Sequence, residues 1–578
     1  MLTRRDLLKL GLLSGGYTIL APGSRPLRVF ADDAHLPASP RLTAFLDLNP
    51  LPIPPEPHEV PRFASPGWKD FIGTRTRFFE IHEEERLVQV HPELRRKTSI
   101  WGYRDVKVRQ SDLVLGPTFK VRMNEGGIVV RMTNDLPDSP GGSPDPLKGF
   151  GVPHMTTHLH GGHHPSRSDG FPDNVNSFFD NNRTRRFQRF VSEPGQSYDY
   201  CYPLLDPGSS EPEGPDPTER PSTLWYHDHF FDFTGPNVYR GLAGFFLVFD
   251  EVDSGDETDT DPRALRLPSG AFDIPLVLQD KRVGSDGQLI FDALDHAGFL
   301  GDTFFVNGAV QPFHEVKRRK YRFRFLNGSN ARFYRIFLTD SNGNTFPMDQ
   351  IATEGGLLAK PIRGIKSFLI APAERVEVVV DFKGFGPGRL YFENRQEQNE
   401  GALPGEGVLR RGTQLLELRV TGNRPEADPS RVGNDKGELR PFAAISQADR
   451  ASATRKTFEF DDSDGGWVIN DRFADLEHPL TTSRRNAPQI WSLESGGGWA
   501  HPVHLHLEFM RVLRRNGKLP PLNERDGMAK KDTVVIGGPD FGDVEIFVKF
   551  RDYPGPFVFH CHNLEHEDMR MMARNDVV

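Results

Sequence analysis

The sequence predicts an all-β protein built from three consecutive β-sandwich domains. At 578 residues, the chain is too long to fold around one hydrophobic core. Its 56 glycines and 48 prolines favour many turns between short strands. Segments rich in β-forming residues, such as Ile128–Met132 and Arg375–Phe382, lie between those turns. Sandwiches with Greek-key connections combine these features.

The N-terminus predicts an export signal over residues 1–31. Arg4 and Arg5 precede a modest apolar stretch from Leu10 to Leu20, as in twin-arginine signals. The alternative interpretation is a basic N-terminal helix. The signal interpretation predicts a periplasmic or extracellular protein.

Composition argues against two classes of partner. After the N-terminus, no apolar run approaches the ~20 residues of a membrane-spanning helix. A formal net charge of −9 gives no sign of a nucleic-acid-binding surface.

Histidine-rich regions lie near both ends of the chain, and a histidine-poor region separates them. We predict a first domain over residues 45–250, a second over 264–422 and a third over 456–578. The second contains only His296 and His314, too few for a metal centre. We therefore predict that it spaces the outer domains, which must pack together.

The densest group of metal-binding side chains lies in Phe557–Met572, FVFHCHNLEHEDMRMM. Its first residues predict a buried strand, along which side chains alternate between faces. Cys561 therefore points to one face, and His560 and His562 point to the other. Cysteine, histidine and a soft thioether are the ligands of a blue-copper electron-transfer site.

A second segment, HPVHLH, also has one metal-binding side chain at odd spacing from a pair that is two residues apart. His504 and His506 share a face, and His501 has the opposite parity. If the two strands are neighbours, they form two sites on opposite faces. The first, called the front site below, contains His501, Cys561, His566 and Met571. The second contains His504, His506, His560 and His562.

Two further H-x-H pairs, His158 with His160 and His227 with His229, raise the second site to eight histidines. We call these eight residues the histidine cluster. Eight imidazoles suit three metal ions, with positions left open for a small ligand. A single H-x-H pair is more often an ordinary surface or core feature. Four such pairs, one of which encloses a cysteine, favour a metal centre.

These four motifs resemble the copper-binding motifs of the multicopper oxidases. Segments between them resemble the three-domain bacterial group that includes spore-coat laccase, bilirubin oxidase and phenoxazinone synthase: Gly241–Gly244, Lys320–Asn327, Ala371–Arg375 and His566–Asp568. The resemblance covers residues 45–578. It implies three cupredoxin-like Greek-key β-sandwich domains, with a trinuclear copper cluster between the first and the third.

The resemblance also implies four copper ions per chain and a role for each ligand. The type 1 copper would be held by His501, Cys561, His566 and Met571. The type 2 copper would be held by His158 and His504. The two type 3 coppers would be held by His160, His227 and His562, and by His229, His506 and His560.

The implied activity couples one-electron oxidation of small organic reductants to four-electron reduction of O₂ to water. Phenols, aromatic amines and bilirubin-like tetrapyrroles are the expected reductants. One alternative is a metal-ion oxidase acting on Cu⁺, Fe²⁺ or Mn²⁺, although only ten methionines are present and the chain lacks a Met-rich insert. A second alternative is a copper-free cell-envelope scaffold, although such scaffolds lack the ligands found here.

Three further residues are candidates for roles beside the metals. Glu567 and Asp169 match acidic positions that the family uses near its cluster, and they predict proton relay; the alternative is a surface carboxylate. Trp499, after three glycines, is a candidate for stacking on an aromatic substrate; the alternative is a packing tryptophan in a flexible loop. Cys201 leaves no partner for an intrachain disulfide and predicts a buried inert thiol.

Overall fold

The structure is a computed structural model dominated by short strands. It describes residues 36–107, 113–137, 150–172, 192–292, 295, 297–401, 403–405, 407–463 and 466–578. The predicted signal over residues 1–31 and His296 lie outside the described residues. Within the described part of the chain, no helix is both long enough and apolar enough to span a bilayer.

The first region contains two four-stranded sheets, ordered β2-β1-β4-β6 and β3-β8-β7-β5. Buried side chains from both sheets, including Phe79 and Phe246, share one hydrophobic core. The elements are β1 Arg77–Val88, β2 Thr98–Asp105, β3 Phe119–Arg122, β4 Ile128–Asn134, β5 Thr157–His160, β6 Ser197–Tyr202, β7 Thr223–Asp228, α1 Thr234–Arg240 and β8 Ala243–Phe249.

The middle region pairs an eight-stranded sheet with a six-stranded sheet. Phe323 and Phe325 from one sheet meet Phe392 from the other edge-on, each with ring centroids 4.9 Å apart. The strands are β9 Asp273–Val283, β10 Leu289–Ile290, β11 Thr303–Val306, β12 Ala309–Val310, β13 Phe313–Lys317, β14 Lys320–Asn327, β15 Tyr334–Asp340, β16 Thr345–Phe346, β17 Met348–Thr353, β18 Gly356–Ile365, β19 Ser367–Ile370, β20 Arg375–Asp381, β21 Gly388–Gln396 and β22 Val408–Thr421.

The last region pairs two five-stranded sheets, ordered β24-β23-β26-β30-β28 and β25-β32-β31-β27-β29. Its first strand begins at Thr454, slightly before the predicted domain start at residue 456. The elements are α2 Gln447–Ser452, β23 Thr454–Ser463, β24 Gly466–Ile469, β25 Thr481–Ser483, β26 Gln489–Ser495, β27 Ala500–Leu505, β28 Arg511–Arg515, β29 Thr533–Gly537, α3 Gly538–Phe541, β30 Val544–Val548, β31 Gly555–Cys561, α4 Leu564–Asp568 and β32 Met572–Val577.

Strand pairing brings the histidine motifs into register. β27 and β31 are antiparallel neighbours, with Val503 opposite Cys561 and His504 opposite His560. β5 and β7 are also antiparallel neighbours, with His158 opposite His227. Each pair therefore presents its H-x-H side chains on a common face.

Candidate metal centres

Three donor atoms converge at the front site. Cys561 Sγ lies 3.6 Å from Nδ1 of both His501 and His566, and the two Nδ1 atoms are 3.1 Å apart. All three residues are fully buried. His566 reaches the site because the Asn563 side chain caps α4, accepting a hydrogen bond from the Glu565 amide.

This arrangement fits a metal ion. A point equidistant from the three donor atoms lies about 2 Å from each, close to the roughly 2.0–2.3 Å of metal bonds to imidazole and thiolate. Burial lowers the pKa of His501 to about 3, so its ring is neutral and able to ligate. Burial raises the pKa of the Cys561 thiol well above its ordinary value, and a bound cation would reverse that shift.

The backbone places Met571 beside Cys561. The Cys561 amide donates to the Met571 carbonyl at 3.0 Å, and both side chains belong to one buried core. Met572 instead packs with Val558 and Phe171 on the other side of β31. Met569 packs against the core of Met571 but is only half-buried.

The eight histidines of the histidine cluster also come together. His504 Nε2 lies 3.4 Å from His158 Nε2, and His560 Nε2 lies 3.2 Å from Nε2 of both His229 and His506. Three groups have ligand atoms all within 4.8 Å of one another: His158, His160 and His504; His160, His227 and His562; and His229, His506 and His560. The last two groups are the type 3 sets that the family resemblance implies.

Burial and neighbouring rings favour the neutral form of six histidines in this cluster. Burial, followed by nearby imidazoles, lowers the pKa well below its ordinary value in six of its members: His160, His227, His229, His504, His506 and His562. Nδ1 of His506 faces Asp169 Oδ2, and Nδ1 of His560 faces the Cys561 carbonyl. With both Nδ1 atoms donating, the two Nε2 lone pairs face each other at 3.2 Å, an arrangement that suits a shared cation. The cluster therefore fits metal ions.

Carbonyl oxygens determine which nitrogen three of these rings present. Nδ1 of His158 donates to the Asp169 carbonyl at 2.5 Å, and Nδ1 of His504 donates to the Asp532 carbonyl at 2.9 Å. His227 makes the same kind of bond to Asp228. With Nδ1 protonated, the Nε2 lone pair is free for a metal.

Both predicted proton-relay residues are buried against the histidine cluster. Asp169 Oδ2 lies 2.7 Å from His506 Nδ1. Glu567 Oε2 lies 3.1 Å from His560 Nδ1, and its Oε1 lies 3.7 Å from His229 Nδ1. Neither is a surface carboxylate, and Glu567 faces the cluster although it follows a front-site histidine in sequence.

Two further buried carboxyls escaped the sequence analysis. Burial raises the pKa of Asp228 to about 7, although Asn237 and two backbone amides donate to it. Burial, with Asp228 nearby, raises the pKa of Glu83 to about 8. Asp228 could have been found from its position between His227 and His229, whereas Glu83 carries no comparable signal.

Tryptophans line the outer side of the front site. Trp467 stacks on His566 with ring centroids 3.8 Å apart, and Trp499 contacts Trp467 edge-on at 5.6 Å. Trp499 is half-buried. The structure thus places a second tryptophan, Trp467, between Trp499 and His566, which the sequence motifs did not indicate.

A three-sandwich fold with a Cys–His₂ site beside an eight-histidine cluster defines a copper-dependent oxidase. The chain belongs to the multicopper oxidase family. A multicopper oxidase family model matches residues 446–578. The chain is 33% identical to a laccase from Haloferax volcanii, over 93% of this chain and 85% of that protein. It is 30% identical to a laccase from Bacillus subtilis, over 86% of this chain and 94% of that protein.

A bilirubin oxidase from Albifimbria verrucaria is 29% identical over 91% of this chain and 80% of that protein. The crystal structure of a McoA multicopper oxidase variant from Aquifex aeolicus matches with a TM-score of 0.70 and 25% identity, covering 92% and 99% of the two chains. These relationships confirm the cupredoxin-like fold. They also confirm a copper oxidoreductase that reduces O₂ and uses type 1, 2 and 3 copper centres, rather than a copper-free scaffold.

Proposed function

We propose that this enzyme oxidises small aromatic reductants, which donate electrons to the front site through Trp499 and Trp467. Phenols, aromatic amines and bilirubin-like tetrapyrroles are the proposed classes. The observation that carries this proposal is the aromatic contact leading from Trp499 to His566. The names of the laccase and bilirubin oxidase relatives also support it.

The front-site imidazoles offer no open edge. Both are fully buried, and His566 Nε2 donates to the carbonyl of Ala297 at 3.1 Å. A reductant therefore meets the tryptophans first. The half-buried Trp499 presents a flat apolar surface suited to stacking an aromatic ring.

We assign the copper ligands from the family resemblance, supported by the convergence of the histidine and cysteine donor atoms. His501, Cys561 and His566, with Met571 as axial ligand, would hold type 1 copper. His158 and His504 would hold type 2 copper. His160, His227 and His562, and His229, His506 and His560, would hold the two type 3 coppers. Copper at these positions supplies one-electron acceptance at the front site and four-electron reduction of O₂ at the cluster.

The chain itself must bring protons to that cluster. Neutral imidazoles that ligate metal use their lone pairs and cannot deliver them. We propose that Glu567 and Asp169, each within hydrogen-bonding distance of a cluster histidine, move protons there.

The twin-arginine pattern supports a further proposal, that the protein is exported from the cytoplasm. Cell fractionation tests this, and finding the protein only in the cytoplasm would contradict it.

One observation favours metal-ion oxidation as a second candidate. Glu459, Asp461 and Asp462 surround the glycines before Trp499, and negative charge attracts cations. Among the described residues, however, groups positioned to hold a metal occur only at the two histidine sites. Aromatic reductants therefore remain the first candidate.

Steady-state rates with a phenol, bilirubin, Cu⁺ and Fe²⁺ separate these candidates. We expect kcat/KM to be higher for the phenol or bilirubin than for either metal ion. A higher value for Cu⁺ or Fe²⁺ than for both organic reductants would replace the proposal with metal-ion oxidation.

Trp499→Ala is expected to lower kcat/KM for aromatic reductants by about threefold to tenfold, because a stacking partner is lost. The loss should appear mainly in KM. Phe71→Ala removes an exposed aromatic residue from the first region and should leave kcat/KM unchanged. Equal effects of the two substitutions would exclude Trp499 as a substrate contact.

Met571→Leu is expected to retain the blue colour and raise the reduction potential of the front site. A weak axial donor stabilises Cu²⁺, so its loss favours the reduced ion. Met569→Leu and Met572→Leu are the matched controls, since neither shares the fully buried position of Met571 beside Cys561. Redox titration of all three variants tests the assignment, and a larger shift from a control would transfer the axial role.

A further inference from the structure

We infer that Arg375 is a positioning residue for the histidine cluster and acts through Asp532. Arg375 belongs to the middle region, which supplies none of the proposed copper ligands. The inference rests on the proposed assignment of His160 and His504. It gives the middle region a role beyond spacing its neighbours.

Arg375 makes a fully buried, two-pronged ion pair with Asp532. Its Nη1 donates to Oδ1 at 2.9 Å, and its Nη2 donates to Oδ2 at 2.5 Å. Its Nε donates to the carbonyl of Thr223, the first residue of β7, at 3.0 Å. One guanidinium thus joins the middle region to the two regions that carry the cluster, in the planar geometry that only arginine provides.

Asp532 in turn contacts two proposed ligands. Its Oδ1 lies 3.3 Å from His160 Nε2, and its carbonyl accepts the 2.9 Å bond from His504 Nδ1. The rings of His160 and His504 stack with centroids 3.6 Å apart. His160 Nδ1 has no hydrogen-bond partner among the described residues. By accepting from Nε2, Asp532 leaves that Nδ1 for a metal.

The backbone after His160 is shaped around the same ion pair. Gly161 has a φ of +82°, and a Cβ there would lie 2.5 Å from Asp532 Oδ2 and 2.7 Å from Arg375 Nη2. A side chain at this position would displace the pair. The glycine therefore admits Arg375 and Asp532 into contact with the cluster.

Lysine cannot replace the two-pronged contact. In Arg375→Lys, a single ammonium would replace the planar pair of donors, and Asp532 would be held less firmly beside His160 by its remaining bond from Thr533 Oγ1 at 2.9 Å. Loss of a residue that orients a metal ligand typically weakens metal binding by about tenfold to hundredfold. Movement of Asp532 would disturb His160, a proposed type 3 ligand, and also the carbonyl that accepts from His504, a proposed type 2 ligand. The proposed type 2 site has two protein ligands, fewer than the others, so its copper should be lost first.

A purely architectural role for Arg375 is the competing explanation, and Arg332 provides a matched control. Arg332 is buried in the same region, where its Nε donates to Asp280 at 2.6 Å and its Nη2 donates to the Gly301 carbonyl at 2.8 Å. Arg332→Lys makes the same chemical change within the middle region. General destabilisation would affect both variants, whereas loss of cluster positioning would affect only Arg375→Lys.

The test compares the copper-loaded wild-type enzyme, Arg375→Lys and Arg332→Lys after dialysis against a chelator. Copper per chain, the type 2 electron paramagnetic resonance signal and the blue absorption are measured. Arg375→Lys is expected to retain the blue absorption and lose the type 2 signal at a chelator concentration about tenfold lower than wild type needs. Arg332→Lys should behave as wild type.

If Arg375→Lys and Arg332→Lys retain the type 2 signal equally, or lose it equally, the inference is overturned. If Arg375→Lys fails to fold, Asp532→Asn tests the same positioning role. It keeps the shape of the side chain but removes the charge that pairs with Arg375. That variant should also lose the type 2 signal selectively, and full retention would overturn the inference. Wild type that binds fewer than four coppers would instead contradict the proposed function.

Discussion

Cys561→Ser is expected to abolish the blue absorption and turnover while leaving copper in the histidine cluster. The absorption arises from the bond between a thiolate and Cu²⁺, and Cys561 Sγ is the thiolate donor between the two Nδ1 atoms of the front site. A serine hydroxyl is a much weaker ligand. Copper content should fall from four ions per chain to three, as measured by metal analysis alongside the visible spectrum and O₂ uptake.

Cys201→Ser is the matched control. Cys201 is the only other cysteine in the chain. It is buried on β6, and burial raises the pKa of its thiol to about 12. Its replacement should leave colour, copper content and turnover unchanged. A blue Cys561→Ser variant, or a copper-loaded wild type without colour, would contradict the assignment of the front site.

Glu567→Gln is expected to slow reoxidation by O₂ by about tenfold or more without changing reduction by the substrate. Reduction of O₂ to water consumes protons at the histidine cluster, and Glu567 Oε2 lies 3.1 Å from the His560 ring there. Glutamine keeps the size of the side chain but cannot carry a proton. The blue absorption and the copper content should remain, since Glu567 is not a proposed ligand.

Stopped-flow measurements of the two half-reactions test this separation. Glu565→Gln is the matched control, because Glu565 is buried in the same helix, α4, but accepts from Asn330 at 2.7 Å. It should leave reoxidation at the wild-type rate. Slower reduction with normal reoxidation in Glu567→Gln would place the residue at the front site and refute the proton role.

Some relationships between distant residues were predictable from the sequence, and others were not. The shared faces of His504 and His560 follow from parity, once their strands are known to pair. The contact between His566 and Ala297 does not, because it joins a helix turn to a loop of another region. Trp467 was missed for a related reason, since nothing in its own segment marks it as a neighbour of a ligand.

The sequence by itself predicted the donor set and its division between two sites, and it identified the family. Strand geometry explains why: successive side chains alternate, so the spacing of Cys561, His560 and His562 assigns each to a face. Only the tertiary structure decided that Glu567 faces the cluster, that Trp467 covers His566 and that Arg375 reaches Asp532. Those contacts depend on how whole sheets pack against one another, and local periodicity carries no information about the partner across an interface.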